Sequence, residues 1–136
     1  MRRTVNESAL RGLIGNGDDH PRNHALLCKN RVWQLSPAFD LVPARITRDT
    51  FSLSMPIERK KNGDMSAVVT LDALLSNPAV YALSKEEATS ILEEMITTVN
   101  SEWRDAMRAT RVPENVIHSM EPAFSLGVKL LTALKQ

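Results

Sequence analysis

The strongest constraint on the fold lies between residues 84 and 110. Ala88, Ile91, Leu92, Met95, Ile96, Val99, Trp103, Ala106 and Met107 recur at steps of three and four, the period of one face of an α-helix. Ser84, with Glu87 three residues on, is the capping-box signature that opens such a helix. A stripe of this length is scaffold, and it predicts one long helix running to about Thr110 with its apolar face in the core. Aromatic residues make up only 4% of the chain, so the core is built mainly from Leu, Ile, Val, Ala and Met, which suits helices better than a large sheet. The expected class is mainly α, with a small β part.

Length and balance narrow the architecture further. At 136 residues, with 43% apolar and 24% charged residues and no low-complexity run, the chain reads as one ordinary globular unit. No stretch approaches the roughly 18 consecutive apolar residues that a membrane span requires. The N-terminus, with Arg2, Arg3 and Glu7, lacks the apolar segment of a secretory signal, so a cytoplasmic location is expected. A lone cysteine, Cys28, excludes an internal disulfide and a thiolate zinc site, and is read as a small buried hydrophobe. Residues 1–63 carry 11 Lys and Arg against 6 Asp and Glu, whereas residues 64–136 carry 6 against 10. That asymmetry suits an anionic ligand near the first half or, equally, a solvated basic surface.

Before the long helix, the pattern is broken into short pieces. Val5, Ala9, Leu10, Leu13 and Ile14 mark a helix over residues 4–14, stopped by Asn16-Gly17. Ala25 to Cys28 and Val32 to Leu35 flank Lys29-Asn30-Arg31 and predict a hairpin. Pro37 and Pro43 bracket a segment, residues 36–43, that is a loop with apolar anchors. Phe51, Leu53 and Met55 alternate with serines and predict an exposed strand over 51–57, followed by a polar turn at Lys61-Asn62-Gly63-Asp64. A short helix opens at Leu71 and is interrupted by Asn77-Pro78; a last helical region starts at Pro113 and is kinked or restarted at Pro122. Residues 71–135 thus form a helical bundle.

Polar chemistry concentrates in two loops, residues 15–24 (Gly15-Asn16-Gly17-Asp18-Asp19-His20-Pro21-Arg22-Asn23-His24) and residues 36–43 around Asp40. Phosphoryl transfer needs a carboxylate to receive the proton of the attacking hydroxyl, and oxygen ligands to hold magnesium against the phosphates. In the protein-kinase catalytic loop the base Asp precedes a metal-binding Asn by about five positions, and a second metal-binding Asp follows. Asp18 and Asn23 stand five apart, Asp19 and Asn23 four apart, so spacing nominates Asp18 as base. Asp40 follows across the predicted hairpin, where a carboxylate among apolar neighbours is expected to be buried and to want a cation. Phe39 is expected to lock this loop into the core, and Gly15 and Gly17 to let backbone approach a phosphate or the substrate hydroxyl. Taken singly, Asp18 or Asp19 also suits a turn cap. His20 suits an acid/base group, a ligand or a structural hydrogen bonder, and Arg22 a phosphate partner or a solvated cation.

The string Gly17-Asp18-Asp19-His20-Pro21-Arg22-Asn23, followed by Ser36-Pro37-Ala38-Phe39-Asp40-Leu41-Val42-Pro43, closely resembles the C-terminal domain of HipA-like serine/threonine kinases, toxins of bacterial toxin and antitoxin pairs. The first string alone is also similar to that of lipid kinases related to phosphatidylinositol kinases. The resemblance covers nearly the whole chain and implies a single domain over 1–136 with a kinase C-lobe-like helical fold, whose small hairpin carries catalytic and metal loops. It places the catalytic Asp on Asp18 with His20 beside it in the catalytic loop, cofactor contacts on Asn23 and Arg22, and magnesium on Asn23 and Asp40. It also implies Mg2+ and ATP as cofactors, a protein substrate such as an aminoacyl-tRNA synthetase, and a helix-turn-helix antitoxin through which DNA is reached only indirectly. No membrane partner is implied.

The glycine-rich loop and strand lysine that clamp ATP in a kinase have no counterpart in these 136 residues. The expectation is therefore a catalytic and magnesium-binding part of a protein kinase, inactive as an isolated chain. Alternative expectations are a non-catalytic domain that binds an antitoxin or a partner kinase half, and a lipid or small-molecule phosphotransferase.

Overall fold

The stripe between residues 84 and 110 forms the central helix of the computed structural model, which describes residues 2–48 and 50–135. Five helices run α1 (Arg2–Leu13), α2 (Leu71–Leu74), α3 (Lys85–Ala109), α4 (Glu114–Ser119) and α5 (Glu121–Leu134). Two small ribbons are inserted between α1 and α2, β1 (Leu26–Lys29) with β2 (Val32–Leu35), and β3 (Glu58–Arg59) with β4 (Met65–Ser66). The class is mainly α with a small antiparallel β part. Among the described residues no helix is long and apolar enough to cross a membrane.

Both halves of the capping box are made: the Ser84 hydroxyl accepts from the Glu87 amide at 3.1 Å, and the Glu87 carboxylate accepts from the Ser84 amide at 2.9 Å. These bonds satisfy donors that a helix start would otherwise leave bare. The stripe then buries Ala88, Leu92, Ile96 and Trp103. One core cluster joins Ala9 and Leu13 of α1 to Leu92 and Ile96 of α3 and Leu126 and Leu130 of α5, with Leu53 and Val69 closing it. A second surrounds Trp103, which stacks on Phe124 with ring centroids 4.1 Å apart and planes 9° from parallel. Pro122 sits in the first turn of α5, where its missing N–H costs nothing, so the chain restarts a helix there rather than kinking one.

Two expectations are corrected by the inserted segments. The 51–57 stretch is not an exposed strand: Leu53 is buried in the main cluster and Phe51 packs against it. Its pairing is irregular, through a Ser52–Val68 bridge and bonds from Leu53 N to Ala67 O (2.9 Å) and Ile57 N to Ser66 O (2.9 Å). Pro56 lacks the N–H that a continuous ladder would use. Cys28, in turn, is exposed rather than buried. It lies on β1, all four residues of which are exposed, because a two-stranded ribbon with no layer stacked on it has no interior. Leu26, Val32 and Trp33 stand out with it. The hairpin itself is as expected, with Lys29 opposite Val32 and a two-residue turn, Asn30-Arg31, in which both φ angles are positive, as the twist of a tight hairpin requires.

Candidate active site

Local chain geometry at the end of α1 positions everything that follows. Asn16 N donates to Arg11 O (2.8 Å) and Gly15 N to Gly12 O (3.2 Å), the paired bonds of a helix terminus that needs a left-handed residue. Gly15 supplies it with φ +69°, and an added Cβ would run into the carbonyl oxygen of Ala44. Beside it, Ala44 N donates to Ile14 O at 3.1 Å, so the loop carrying Asp40 is strapped across the end of the helix. The glycines at 15 and 17 thus serve protein packing: a Cβ on Gly17 would lie 3.3 Å from Ser52 O. Gly15→Ala combines left-handed strain with a backbone clash, and is expected to cost about 2 kcal/mol or more. A lowered urea midpoint with an unchanged slope checks this.

The adjacent aspartates have opposite fates. Asp19 is fully buried, with its Oδ1 3.2 Å from Arg11 Nε, itself at 0% exposure, and 2.8 Å from His24 Nε2. His24 Nδ1 lies 3.6 Å from the buried carboxylate of Glu7. Arg11 extends the network into the other loop, donating from Nη1 to Asp40 O (3.1 Å) and from Nη2 to Phe39 O (3.0 Å). Asn16 Nδ2 adds a second donor to Asp40 O, at 2.9 Å. Asp18, in contrast, is exposed. Only its carbonyl is engaged, by Asn23 Nδ2 at 2.8 Å, and its carboxylate makes no hydrogen bond or ion pair with a described residue. That bond fixes the Asn23 amide with nitrogen toward Asp18 and leaves Oδ1 as the acceptor it presents.

Asp40 departs from expectation. It is exposed rather than buried, so no desolvation penalty demands a cation. Its backbone is instead the unusual feature, with φ +56°, a conformation that costs a non-glycine residue roughly 1 kcal/mol or more. Phe39, 41% exposed, does not anchor the loop. Leu41 packs against the Trp103 cluster, and Arg11 and Asn16 grip the main chain. The loops nominated by the sequence are therefore joined, through Arg11 and Asn16, whereas His20 and Arg22 are exposed and make no ion pair with a described residue.

A model of the HipA-like C-terminal domain family matches residues 1–103 of the 136. The chain belongs to this family. No curated protein and no solved structure matches it. In this HipA-like domain the matched span takes in α1, both polar loops, both ribbons and α3 as far as Trp103. The residues beyond it still complete the fold, since Phe124, Leu126 and Leu130 of α5 are buried in the core. A cavity of about 300 Å³ between the second ribbon and α2, lined among others by Ser8, Ile57, Leu74 and Tyr81, contains none of the nominated residues. Glu7, Arg11, Asn16 and His24 are the site-forming residues that spacing rules passed over. Glu7 and Arg11 carry the one available signal: four apart, they share a helical face, yet a charged pair there ordinarily faces solvent.

Proposed function

We propose that this HipA-like domain is the catalytic and magnesium-binding part of an ATP-dependent protein serine/threonine kinase, working with a nucleotide-clamping lobe. The observation that carries the reading is the division of labour between Asp18 and Asp19. Asp19 is fully buried with its Oδ1 against Arg11 and His24, so the accessible carboxylate is that of Asp18, the residue at kinase spacing from Asn23. Asp18 would orient a serine or threonine hydroxyl and take its proton as the oxygen attacks the γ-phosphorus and the bond to the β–γ bridging oxygen breaks, with ADP as the leaving group. The acceptor protein and a helix-turn-helix antitoxin belong to the same proposal.

The donor chemistry fits magnesium delivered with phosphates. Asn23 Oδ1 and the Asp40 carboxylate are hard oxygen donors, and the described residues hold no group of three or more His, Cys, Asp or Glu that would cage a metal by itself. Magnesium is commonly held by one or two carboxylates, with phosphate oxygens and waters completing the shell. When bound, it would neutralise charge on the transferring phosphoryl group. In calorimetric titration with ATP, a magnesium-dependent heat is expected for the wild-type chain and its loss for Asp40→Ala. Equal heats from the two proteins would remove Asp40 from the site.

A second reading, a non-catalytic docking domain, is favoured by one feature. Leu26 and Trp33, on the same face of a single hairpin, are each more than 60% exposed, an apolar surface suited to a partner. If neither protein gives a magnesium-dependent heat, this reading replaces the first for the isolated chain.

A further inference from the structure

Three hydrogen bonds from two buried side chains converge on consecutive carbonyls of the loop around Asp40. Arg11, at 0% exposure, reaches Phe39 O (3.0 Å) and Asp40 O (3.1 Å), and Asn16, at 4%, reaches Asp40 O (2.9 Å). Neither residue falls in the spacing that nominated Asp18, Asn23 and Asp40. Their target is a non-glycine residue held at φ +56°. A backbone in that region persists only where its surroundings over-determine it, and two donors on one carbonyl do so.

Charge supports the same role. An unneutralised guanidinium against the Asp40 backbone would oppose a cation, but Arg11 is paired with Asp19 within 3.2 Å, and both are fully buried. Arg11 can therefore grip the loop as a donor while its charge is locally cancelled. Asn16 does the same as a neutral amide. Because Arg11 also holds Asp19, the next residue after Asp18, one side chain fixes the loop of the proposed base and the loop of the proposed metal ligand together.

We propose that Asn16 and Arg11 are positioning residues: by gripping the Asp40 carbonyl they hold its left-handed backbone, and this conformation sets cation affinity as much as the carboxylate does. The inference rests on the reading of Asp40 as a magnesium ligand and adds the residues that aim it. Outer partners that orient metal ligands typically contribute about 10- to 100-fold in affinity. Asn16 is the cleaner residue to change, because its removal leaves the Arg11–Asp19 pair and one donor on Asp40 O in place.

The test uses the whole chain and the Mn2+ complex of ATP, because Mn2+ takes the same oxygen ligands as magnesium and the phosphates complete its shell. Binding of Mn2+–ATP is followed by water-proton relaxation enhancement during titration of wild type, Asn16→Ala and Asp40→Asn, with thermal midpoints measured in parallel. Asp40→Asn is expected to remove the site, and Asn16→Ala to weaken it about tenfold with a midpoint within a few degrees of wild type. Broadening of the Asp40 and Leu41 amide resonances by Mn2+ in the wild type, lost in Asn16→Ala at the same metal concentration, would agree. Wild-type affinity in Asn16→Ala, with none in Asp40→Asn, overturns the positioning role and leaves the metal reading standing. Loss of metal in Asn16→Ala only alongside a large fall in midpoint also overturns it, since the role is then merely structural. Asp40→Asn indistinguishable from wild type overturns the metal reading and the positioning role with it.

Discussion

Arg11→Met is expected to destabilise the domain by about 3–5 kcal/mol, the penalty typical of breaking a buried ion pair from one side. Methionine fills much of the volume of arginine and keeps the helix, so the loss is electrostatic rather than steric. It leaves Asp19 fully buried with only His24 as a charged partner among the described residues, and takes donors from the carbonyls of Phe39 and Asp40. Urea unfolding followed by far-ultraviolet circular dichroism measures it. The double variant Arg11→Met/Asp19→Asn is expected to recover part of the loss, because no uncompensated charge remains inside. Strict additivity of the two single variants would mean that the side chains are not coupled.

The second large effect concerns the neighbouring aspartate and chemistry rather than stability. Asp18→Asn is expected to lower phosphoryl transfer about 10²- to 10⁴-fold, the usual contribution of a positioned base. The domain must first be joined to the nucleotide-clamping lobe of a HipA-like kinase. Stability should barely change, because Asp18 is exposed and offers only its carbonyl to Asn23, which asparagine supplies equally. Asp19→Asn is the mirror case, with its damage arriving through the fold. Adjacent residues of one type thus predict opposite signatures, one kinetic and one thermodynamic.

Much of this was legible in the sequence, and what was not has physical causes. The α3 stripe and its cap were readable because helical period and capping chemistry are local, and both bonds of the capping box form. The hairpin at 26–35 was readable for the same reason. Spacing nominated Asp18 over Asp19, and the structure exposes the first and buries the second. Exposure was misjudged where it depended on missing layers: Cys28 on an uncovered ribbon, and Asp40 and Phe39 on a loop held by its backbone. Leu53 erred in the opposite direction, since alternation with serine marked a half-exposed strand while α1, α3 and α5 in fact cover it. The Glu7–His24–Asp19–Arg11 network was hidden because its members are scattered along the chain, and charged residues on a helix normally face water. Only packing reveals that Arg11 and Asp19 share one buried place.

The most direct measurement is transfer of radiolabelled γ-phosphate from ATP by the domain joined to such a lobe, with wild type and Asp18→Asn compared at equal magnesium and equal folded fraction. Label on a serine or threonine is expected for the wild type, and at least about a hundredfold less for Asp18→Asn. Equal labelling by the two proteins would mean that Asp18 is not the base.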